Sequence, residues 1–379
     1  MKIKVLKFGG TSLGSIEAIK RSADIIHDWS KKSKVIAVLS AMSGETDRLI
    51  NLTKSFSKNP NPIDFDNAIS SGENVSCALM SICLNNQKIK AKSLLSWQIP
   101  IITSSEHMKS RILSIDKKFL FDELKNFDVL IIPGFQGINN KGEITTLGRG
   151  GSDTSAVAVA AAMETECIIY TDVEGVFTTD PNIVPKAKKI NKISYEEMLE
   201  LASQGAKVLQ TRSVELAMRK NTKLSVRSSF KPKKIGTMIT DEKSVLENNT
   251  VSGITYSKDE AKITLSRVQD KPGVSSKIFG PLAKGNINVD MILQNISQDG
   301  KFANLSFTLP RLDLEKALKI LKKEKSIIGY KKIISSNNIS KISVVGVGMR
   351  SHAGVAQTLF DTLGKLSLIH ISEPTRPLH

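Results

Sequence analysis

Aromatic residues make up only 5% of this 379-residue chain. Their scarcity bears on charge, because 54 Lys and Arg against 37 Asp and Glu leave a formal net charge of +17. Such an excess raises nucleic-acid binding as a function class. Yet the cations are scattered, mostly Lys, in short pairs such as Lys31-Lys32, Lys117-Lys118 and Lys188-Lys189, and no aromatics interleave with them to stack on bases. A solvated, lysine-rich surface is the simpler reading, with no nucleic-acid partner. Three cysteines (Cys77, Cys83, Cys167) are too few and too dispersed for a disulfide framework or a zinc site. Two of them fall in helix or strand cores, as inert buried thiols do. No run approaches the roughly 20 apolar residues of a membrane span, and MKIKVLKFGG at the N-terminus lacks the apolar region of a signal peptide. The expectation is a cytoplasmic protein with no membrane partner. A 40% hydrophobic and 24% charged composition describes a globular chain, and its length exceeds one typical core, so two or three domains are expected.

What the chain does have is concentrated in Leu147–Ala162, LGRGGSDTSAVAVAAA. Gly148, Gly150 and Gly151 surround Arg149, then Ser152-Asp153-Thr154 lead into an alanine-rich run of high helix propensity. Ser, Asp and Thr favour helix N-caps and first turns, which predicts a helix start at Ser152 or Asp153. Glycines ahead of it let an anion approach free N–H groups, and Arg149 can grip a carboxylate or phosphate with two donors. The bland alternative is a glycine turn feeding a buried helix.

Taken in order, residues 2–8 (KIKVLKF) predict a buried strand, broken by Gly9-Gly10-Thr11-Ser12. A helix follows with Ile16, Ile19, Ala23 and Ile26 on one face. Strand, glycine turn, helix is the layout of a phosphate cradle, although GxxxxGK[ST] is missing. Lys7 reads either as a solvated strand lysine or as part of that cradle. Val35–Ser40 is a second strand, with a small-residue turn after it. Lys54 to Asp64 reads as a linker to a helix beginning near Ser71-Gly72-Glu73, where the dipole alone would favour Glu73. Val129–Ile132 is a strand, Asn139–Gly142 a hairpin turn, and Cys167–Tyr170 a strand ending in Thr171-Asp172.

This alternation indicates an α/β domain with a largely parallel sheet, in which ligands bind beyond the carboxyl ends of strands. Lys7, Ser40 with Thr46, Gly134 and Thr171-Asp172 all fall there. Ser194–Glu197 forms a capping box. A further helix is expected near Ala206, which would put Lys207 in its first turn, against the dipole. From about residue 250 the pattern changes to a βαββα module. Its strands are expected at Lys262–Leu265, Ile287–Leu293 and Phe302–Thr308, and its helices at Val274–Lys284 and Leu312–Lys322. A second copy is expected from Lys341, strand ISVVGVG, loop MRSHAG and helix VAQTLFDTLGK.

With these motifs in place, the chain resembles the aspartokinases, amino acid kinases with C-terminal ACT regulatory domains. The matching stretches are KFGGTS (7–12), SAMSGETD (40–47), SGE (71–73), PGFQG (133–137), TLGRGGSDTSA (146–156) and YTDVEGVFTTDP (170–181). SYEEMLELASQGAKVL (194–209), VRSSF (226–230), VDMILQNIS (289–297) and VGMRSHAG (347–354) also match. The resemblance implies an αβα sandwich with a mainly parallel sheet over 1–240. An α+β, ferredoxin-like ACT module would occupy 250–335, and an incomplete second one 340–365.

The implied reaction is transfer of the γ-phosphate of ATP, carried as its Mg²⁺ complex, to the side-chain carboxylate of L-aspartate. The product would be 4-phospho-L-aspartate, the first step toward lysine and diaminopimelate, threonine and methionine. No tightly bound cofactor and no metal ligand set is implied. By the same resemblance, Lys7, Asp153 and Lys207 are the catalytic set. The nucleotide would meet Lys7, Phe8, Gly9, Gly10, Ser12, Thr171, Asp172, Phe177 and Lys207. Aspartate would meet Ser40, Thr46, Glu73, Arg149, Gly150, Gly151 and Ser152, with Arg149 on its α-carboxylate and Glu73 on its ammonium. Asp270, Asn288, Asp290 and Gln294 would bind regulatory lysine and/or threonine, and the ACT modules would pair subunits into a homo-oligomer.

The match ends near Lys365, and LSLIHISEPTRPLH, with residues 366–379 as an atypical tail, is not the family's sequence. Rival readings are another amino acid kinase (glutamate, acetylglutamate or UMP) and a non-catalytic amino-acid sensor. Glu73 paired with Arg149 argues for an α-amino acid, and Lys7, Arg149, Asp153 and Lys207 together argue against a sensor.

Overall fold

Apolar stretches of five or six residues alternating with helices over much of the chain produce the expected α/β architecture in a computed structural model. It describes every residue except 1, 100, 207, 242–249, 298–300, 351–353 and 369–379. The chain divides into two units, Met1–Ile254 with Val344–Gly348, and Thr255–Ser343 with Met349–His379.

The first unit carries β1 (Ile3–Phe8), β2 (Lys34–Leu39), β3 (Ala91–Ser93), β4 (Ile101–Thr103), β5 (Ile112–Ile115) and β6 (Val129–Pro133). There follow β7 (Gln136–Ile138), β8 (Ile144–Thr146), β9 (Cys167–Thr171), β10 (Lys192–Ser194), β11 (Leu224–Ser228) and β12 (Thr237–Thr240). Its helices are α1 (Ile16–Ser30), α2 (Glu45–Phe56), α3 (Pro62–Ile69), α4 (Ser71–Asn86), α5 (Lys117–Asn126), α6 (Gly151–Ala162), α7 (Tyr195–Ser203) and α8 (Thr211–Arg219). The main sheet runs β10-β12-β11-β9-β1-β2-β6-β3. All its pairings are parallel except β11 with β12. A small sheet, β5-β4-β7-β8, contains the hairpin.

The central strands read as continuous apolar runs because both sheet faces are covered. Val5, Ile36, Val38, Leu130 and Ile132 join one core with Ala156, Val157, Val159 and Ala160 of α6. The alternate residues Leu6, Val35, Ala37, Leu39 and Ile131 join another with Ile19, Ala23 and Ile26 of α1 and Met80 and Leu84 of α4. Each buried Val, Leu, Ile or Met side chain among them contributes about 1.5–3 kcal/mol of burial free energy. Helix α6 is buried at every position from Gly151 to Ala160, which its small side chains permit. Cys77 and Cys167 are fully buried, and burial raises both thiols well above their ordinary range.

Some expectations shift. Ile16 is 66% exposed and lies off the buried face of α1, at its first turn. The expected linker from Lys54 to Asp64 is helical at both ends, leaving residues 57–61 as the connection: α2 runs to Phe56, and Asn61 caps α3 with Pro62 at its first position. Helix α6 starts at Gly151 with left-handed Gly150 (φ 69°) as its N-cap, so Ser152 and Asp153 sit inside the first turn. After α7, whose Ser194–Glu197 capping box is present, the next helix begins at Thr211 rather than near Ala206. Lys207 itself lies outside the described residues.

The second unit contains β13 (Gly253–Gln269), β14 (Ile292–Ile296), β15 (Phe302–Pro310) and β16 (Lys332–Val345), ordered β14-β15-β13-β16. Helices α9 (Val274–Lys284), α10 (Leu314–Lys323) and α11 (Lys325–Ile328) accompany them, with α12 (Val355–Lys365) nearer the C-terminus. Ile263, Leu265, Ile278, Leu282, Leu305, Phe307 and Leu321 form its core. The strand expected over Ile287–Leu293 starts only at Ile292. The strand expected to open a second module at Lys341 is the final part of the continuous β16, since SSNNISK contains no Gly or Pro to break it. A single 3-10 turn, Val347–Arg350, follows.

Candidate active site

Strands β9, β1, β2 and β6 lie side by side and run parallel, so the loops after them open on one edge of the sheet. Lys7, near the end of β1, points its Nζ to 2.6 Å from Oδ1 of Asp153 in the first turn of α6. Both side chains are largely buried, so each is the other's charge partner in a poorly solvated place. The Lys7 ammonium also passes over Gly9, where a Cβ would lie only 3.3 Å from it.

The glycine turn after β1 packs on the turn after β2. A Cβ at Gly10 would sit 3.2 Å from the Ala41 carbonyl. That second turn is tied in turn to α4, because Ala41 N–H donates to Glu73 Oε1 (3.1 Å) and Gly72 packs on Ala41. Ser40 precedes this turn, held by a bond from its N–H to the Phe8 carbonyl, and Thr46 follows in the first turn of α2. Glu73 is 3% exposed, and its Oε2 is buried without a hydrogen-bond partner. Burial pushes its carboxyl up to about 7, against the opposing N–H bonds.

The loop after β6 meets the start of α6 so closely that a Cβ at Gly134 would lie 2.8 Å from Ser152 Cβ. Gly148 and Gly150 flank Arg149 with φ of 79° and 69°, conformations that favour glycine. Arg149 itself is solvent-exposed. Gly150 additionally faces the Gln210 side chain, which leaves no room for a Cβ. Gly151 and Ser152 are buried at the helix start.

After β9, Thr171 Oγ1 donates to Asp172 Oδ1 (3.0 Å). The Thr171 carbonyl accepts from the Ser229 N–H and hydroxyl, and Ser12 Oγ donates to Ser229 Oγ at 2.8 Å. Phe177 is half-buried in an isolated bridge with Lys189. Three of the expected nucleotide contacts have partners within the fold. The Phe8 ring is fully buried and stacked on Tyr170 (centroids 5.0 Å apart), and its carbonyl accepts from the Ser40 N–H. Ser12 is fully buried, its hydroxyl given to Ser229, so it braces the turn. The Gly9 N–H is directed at the Tyr170 carbonyl (3.4 Å) rather than left open.

In the second unit, Gln294 Nε2 donates to Asp270 Oδ1 (3.0 Å). Asp290 pairs with Lys341 instead, and Asn288 is exposed just before it. The expected regulatory residues are thus brought together as one pair and one separately engaged acid.

A model of the amino acid kinase family matches residues 2–228, and one of the ACT domain matches 263–326. The chain is 48% identical over 371 residues to the aspartate kinase of Pseudomonas putida, covering 97% of this chain and 90% of that protein. It is 47% identical over 370 residues to the aspartokinase of Helicobacter pylori, covering 95% and 90%. The chain belongs to the aspartokinase family.

A crystal structure of E. coli aspartokinase III in complex with lysine and aspartate (T-state) is similar in fold, with a TM-score of 0.73 at 25% identity, covering 96% of this chain and 91% of that one. Membership makes the chain a kinase that acts on aspartate and carries an ACT domain. Among the described residues, no helix is long and apolar enough to cross a membrane. Within this aspartokinase framework, two contributions escaped the sequence reading. Ser229 lies in the matching stretch VRSSF, which could have flagged it. Buried Asp66 reads in sequence as one more acid on a solvated segment.

Proposed function

We propose that the chain transfers the γ-phosphoryl group of ATP to the side-chain carboxylate of L-aspartate, giving 4-phospho-L-aspartate and ADP. The observation that carries this reading is the buried Lys7–Asp153 pair at the first turn of α6, with Asp153 four residues after Arg149. In the proposed step a carboxylate oxygen of aspartate attacks Pγ, and the β–γ bridging oxygen leaves with ADP. The attacking carboxylate, with a reference pKa near ~4, is already ionised and needs no general base. Catalysis then reduces to positioning and charge neutralisation.

Lys7, held in place by Asp153, neutralises charge on the transferring phosphoryl group, and Lys207 contributes from the segment before α8. Gly9 and Gly10 keep the turn low enough for phosphates to approach, while Thr171, Asp172 and Phe177 face the nucleoside. Magnesium arrives with the triphosphate. One acid at a helix start, Asp153, suits an ion held mainly by phosphate oxygens. Arg149 takes the α-carboxylate of aspartate in a two-donor grip. The ammonium goes to Glu73, whose Oε2 is a buried acceptor without a hydrogen-bond partner. Ser40, Thr46, Gly150, Gly151 and Ser152 line the space between.

The product would feed the synthesis of lysine and diaminopimelate, threonine and methionine. A regulatory amino acid, lysine and/or threonine, would bind the ACT unit at Asp270, Asn288, Asp290 and Gln294, and lysine is named in the E. coli complex. Pairing of ACT units between copies would let that binding shift a two-state equilibrium. Phosphorus NMR of the purified protein with MgATP and aspartate tests the chemistry. An acyl-phosphate signal that grows with ADP supports it, and ADP formation independent of aspartate refutes it.

A further inference from the structure

We propose that Asp66 is a positioning residue for aspartate, setting the place of the Arg149 loop from behind. This rests on the reading that Arg149 takes the substrate α-carboxylate. Asp66, near the end of α3, is fully buried. A carboxylate so far from water must be met by donors or it costs several kcal/mol. Four donors meet it. Its Oδ2 accepts from the N–H of Met108 (3.0 Å), the N–H of Thr146 (3.0 Å) and Nδ1 of His107 (2.8 Å). Its Oδ1 accepts the Thr146 hydroxyl at 2.6 Å. One side chain thereby fastens three separate pieces of chain: a helix, the turn around residue 108, and the last residue of β8.

The position of Thr146 gives this cluster its consequence. Thr146 is three residues before Arg149, and everything around that stretch is gripped. The Thr146 carbonyl accepts from both the N–H and the hydroxyl of Ser110 (2.9 and 3.0 Å). The Leu147 N–H donates to the Phe135 carbonyl, and Arg212 of α8 donates to the carbonyls of Leu147 (2.9 Å) and Ser110 (2.8 Å). Gly148 then passes so near Met108 that a Cβ would lie 3.0 Å from the Met108 carbonyl. The Met108 segment that Asp66 holds is therefore the floor on which Gly148 rests. Removing the carboxylate frees both the floor and the loop's entry residue, while Lys7 and Asp153 are fastened by each other.

Since Arg149 is exposed and set between two left-handed glycines, its aim depends on these anchors. The inference predicts a defect in aspartate binding rather than in nucleotide binding. Asp66→Asn keeps the shape and removes the four-donor acceptor. Thr146→Val removes only the hydroxyl bond and serves if the first variant fails to fold. Steady-state kinetics of the full chain should show the KM for aspartate raised at least tenfold in Asp66→Asn and severalfold in Thr146→Val. The KM for ATP should stay within twofold. A general folding defect would lower kcat without this split.

The same two changes are then made in an Arg149→Ala background, where the inference predicts little further rise in the KM for aspartate. An equal rise in both backgrounds, or an unchanged KM in Asp66→Asn and Thr146→Val while Arg149→Ala raises it, overturns the inference alone. An unchanged KM in Arg149→Ala itself overturns the reading of Arg149 and the inference with it.

Discussion

The Nζ of Lys7 lies 2.6 Å from Oδ1 of Asp153, joining the end of the central strand β1 to the first turn of the buried helix α6. The two charged groups face each other where neither has much water to fall back on. Substituting Lys7→Ala or Asp153→Ala is expected to lower kcat by on the order of 10²–10³, the range seen when one preorganised electrostatic group is removed. Turnover within threefold of the parent in both variants, measured by ADP release, would contradict the assignment.

For Arg149 the expectation is different in kind. An arginine–carboxylate contact is worth about 1.5–3 kcal/mol, so Arg149→Ala should raise the KM for aspartate about 10- to 100-fold with a smaller change in kcat. An unchanged aspartate dependence would remove the residue from the site.

Glu73 links the site to pH. Burial raises its carboxyl to about 7, and only the ionised form attracts an ammonium group. Aspartate affinity should therefore weaken as pH falls through about 7, and Glu73→Gln should bind weakly at every pH, flattening the profile. Stability runs the other way. A raised pKa means the folded state keeps a proton that the unfolded chain releases near the ordinary value of 4.5, so this group's contribution is present below that value. It is lost as pH rises toward about 7. Denaturant titrations of the parent and Glu73→Gln across that window check the sign: the parent should show the steeper loss of stability. A parallel pair of curves would mean that Glu73 is not the titrating group.

Gly134 tests the packing. Its missing Cβ leaves room for Ser152 at 2.8 Å, and Ser152 adjoins Asp153. Gly134→Ala should push the first turn of α6, cost about 1–3 kcal/mol of stability and reduce kcat well beyond what thermal unfolding accounts for. Full activity would show that the loop absorbs the methyl group without moving the acid.

In the second unit, Asp270→Ala breaks the bond from Gln294. Inhibition by lysine or threonine should weaken at least tenfold in dose–response curves while uninhibited turnover holds. Retained inhibition would place the effector elsewhere.

The central strands of the main sheet were the most legible features, because a strand buried on both faces must be apolar throughout, as Val35–Leu39 and Val129–Ile132 are. The glycine loops were legible for a related reason, since few residues tolerate the φ of Gly148 and Gly150. Helix starts were harder. Gly150 rather than Ser152 caps α6 because a left-handed residue, not a side-chain oxygen, turns the chain there. The segment before Asp64 looked like a linker because its charges mask two helices whose burial is confined to Leu49, Phe65, Asp66 and Ile69. Long-range side-chain commitments were not legible, unlike the local Ser194–Glu197 capping box. Nothing local reveals that Phe8 stacks inward on Tyr170, or that Asp66 meets residues 41 to 80 positions away.

The most direct test of the central claim is the ATP-dependent formation of a hydroxamate in the presence of hydroxylamine, compared across aspartate, glutamate and acetylglutamate. Hydroxylamine traps an acyl phosphate at the carboxylate that received the phosphoryl group. The account predicts aspartyl hydroxamate formed in proportion to ADP, with the other two acids near background. Hydroxamate from glutamate or acetylglutamate at equal or greater rate, or none from aspartate despite ATP turnover, would contradict it.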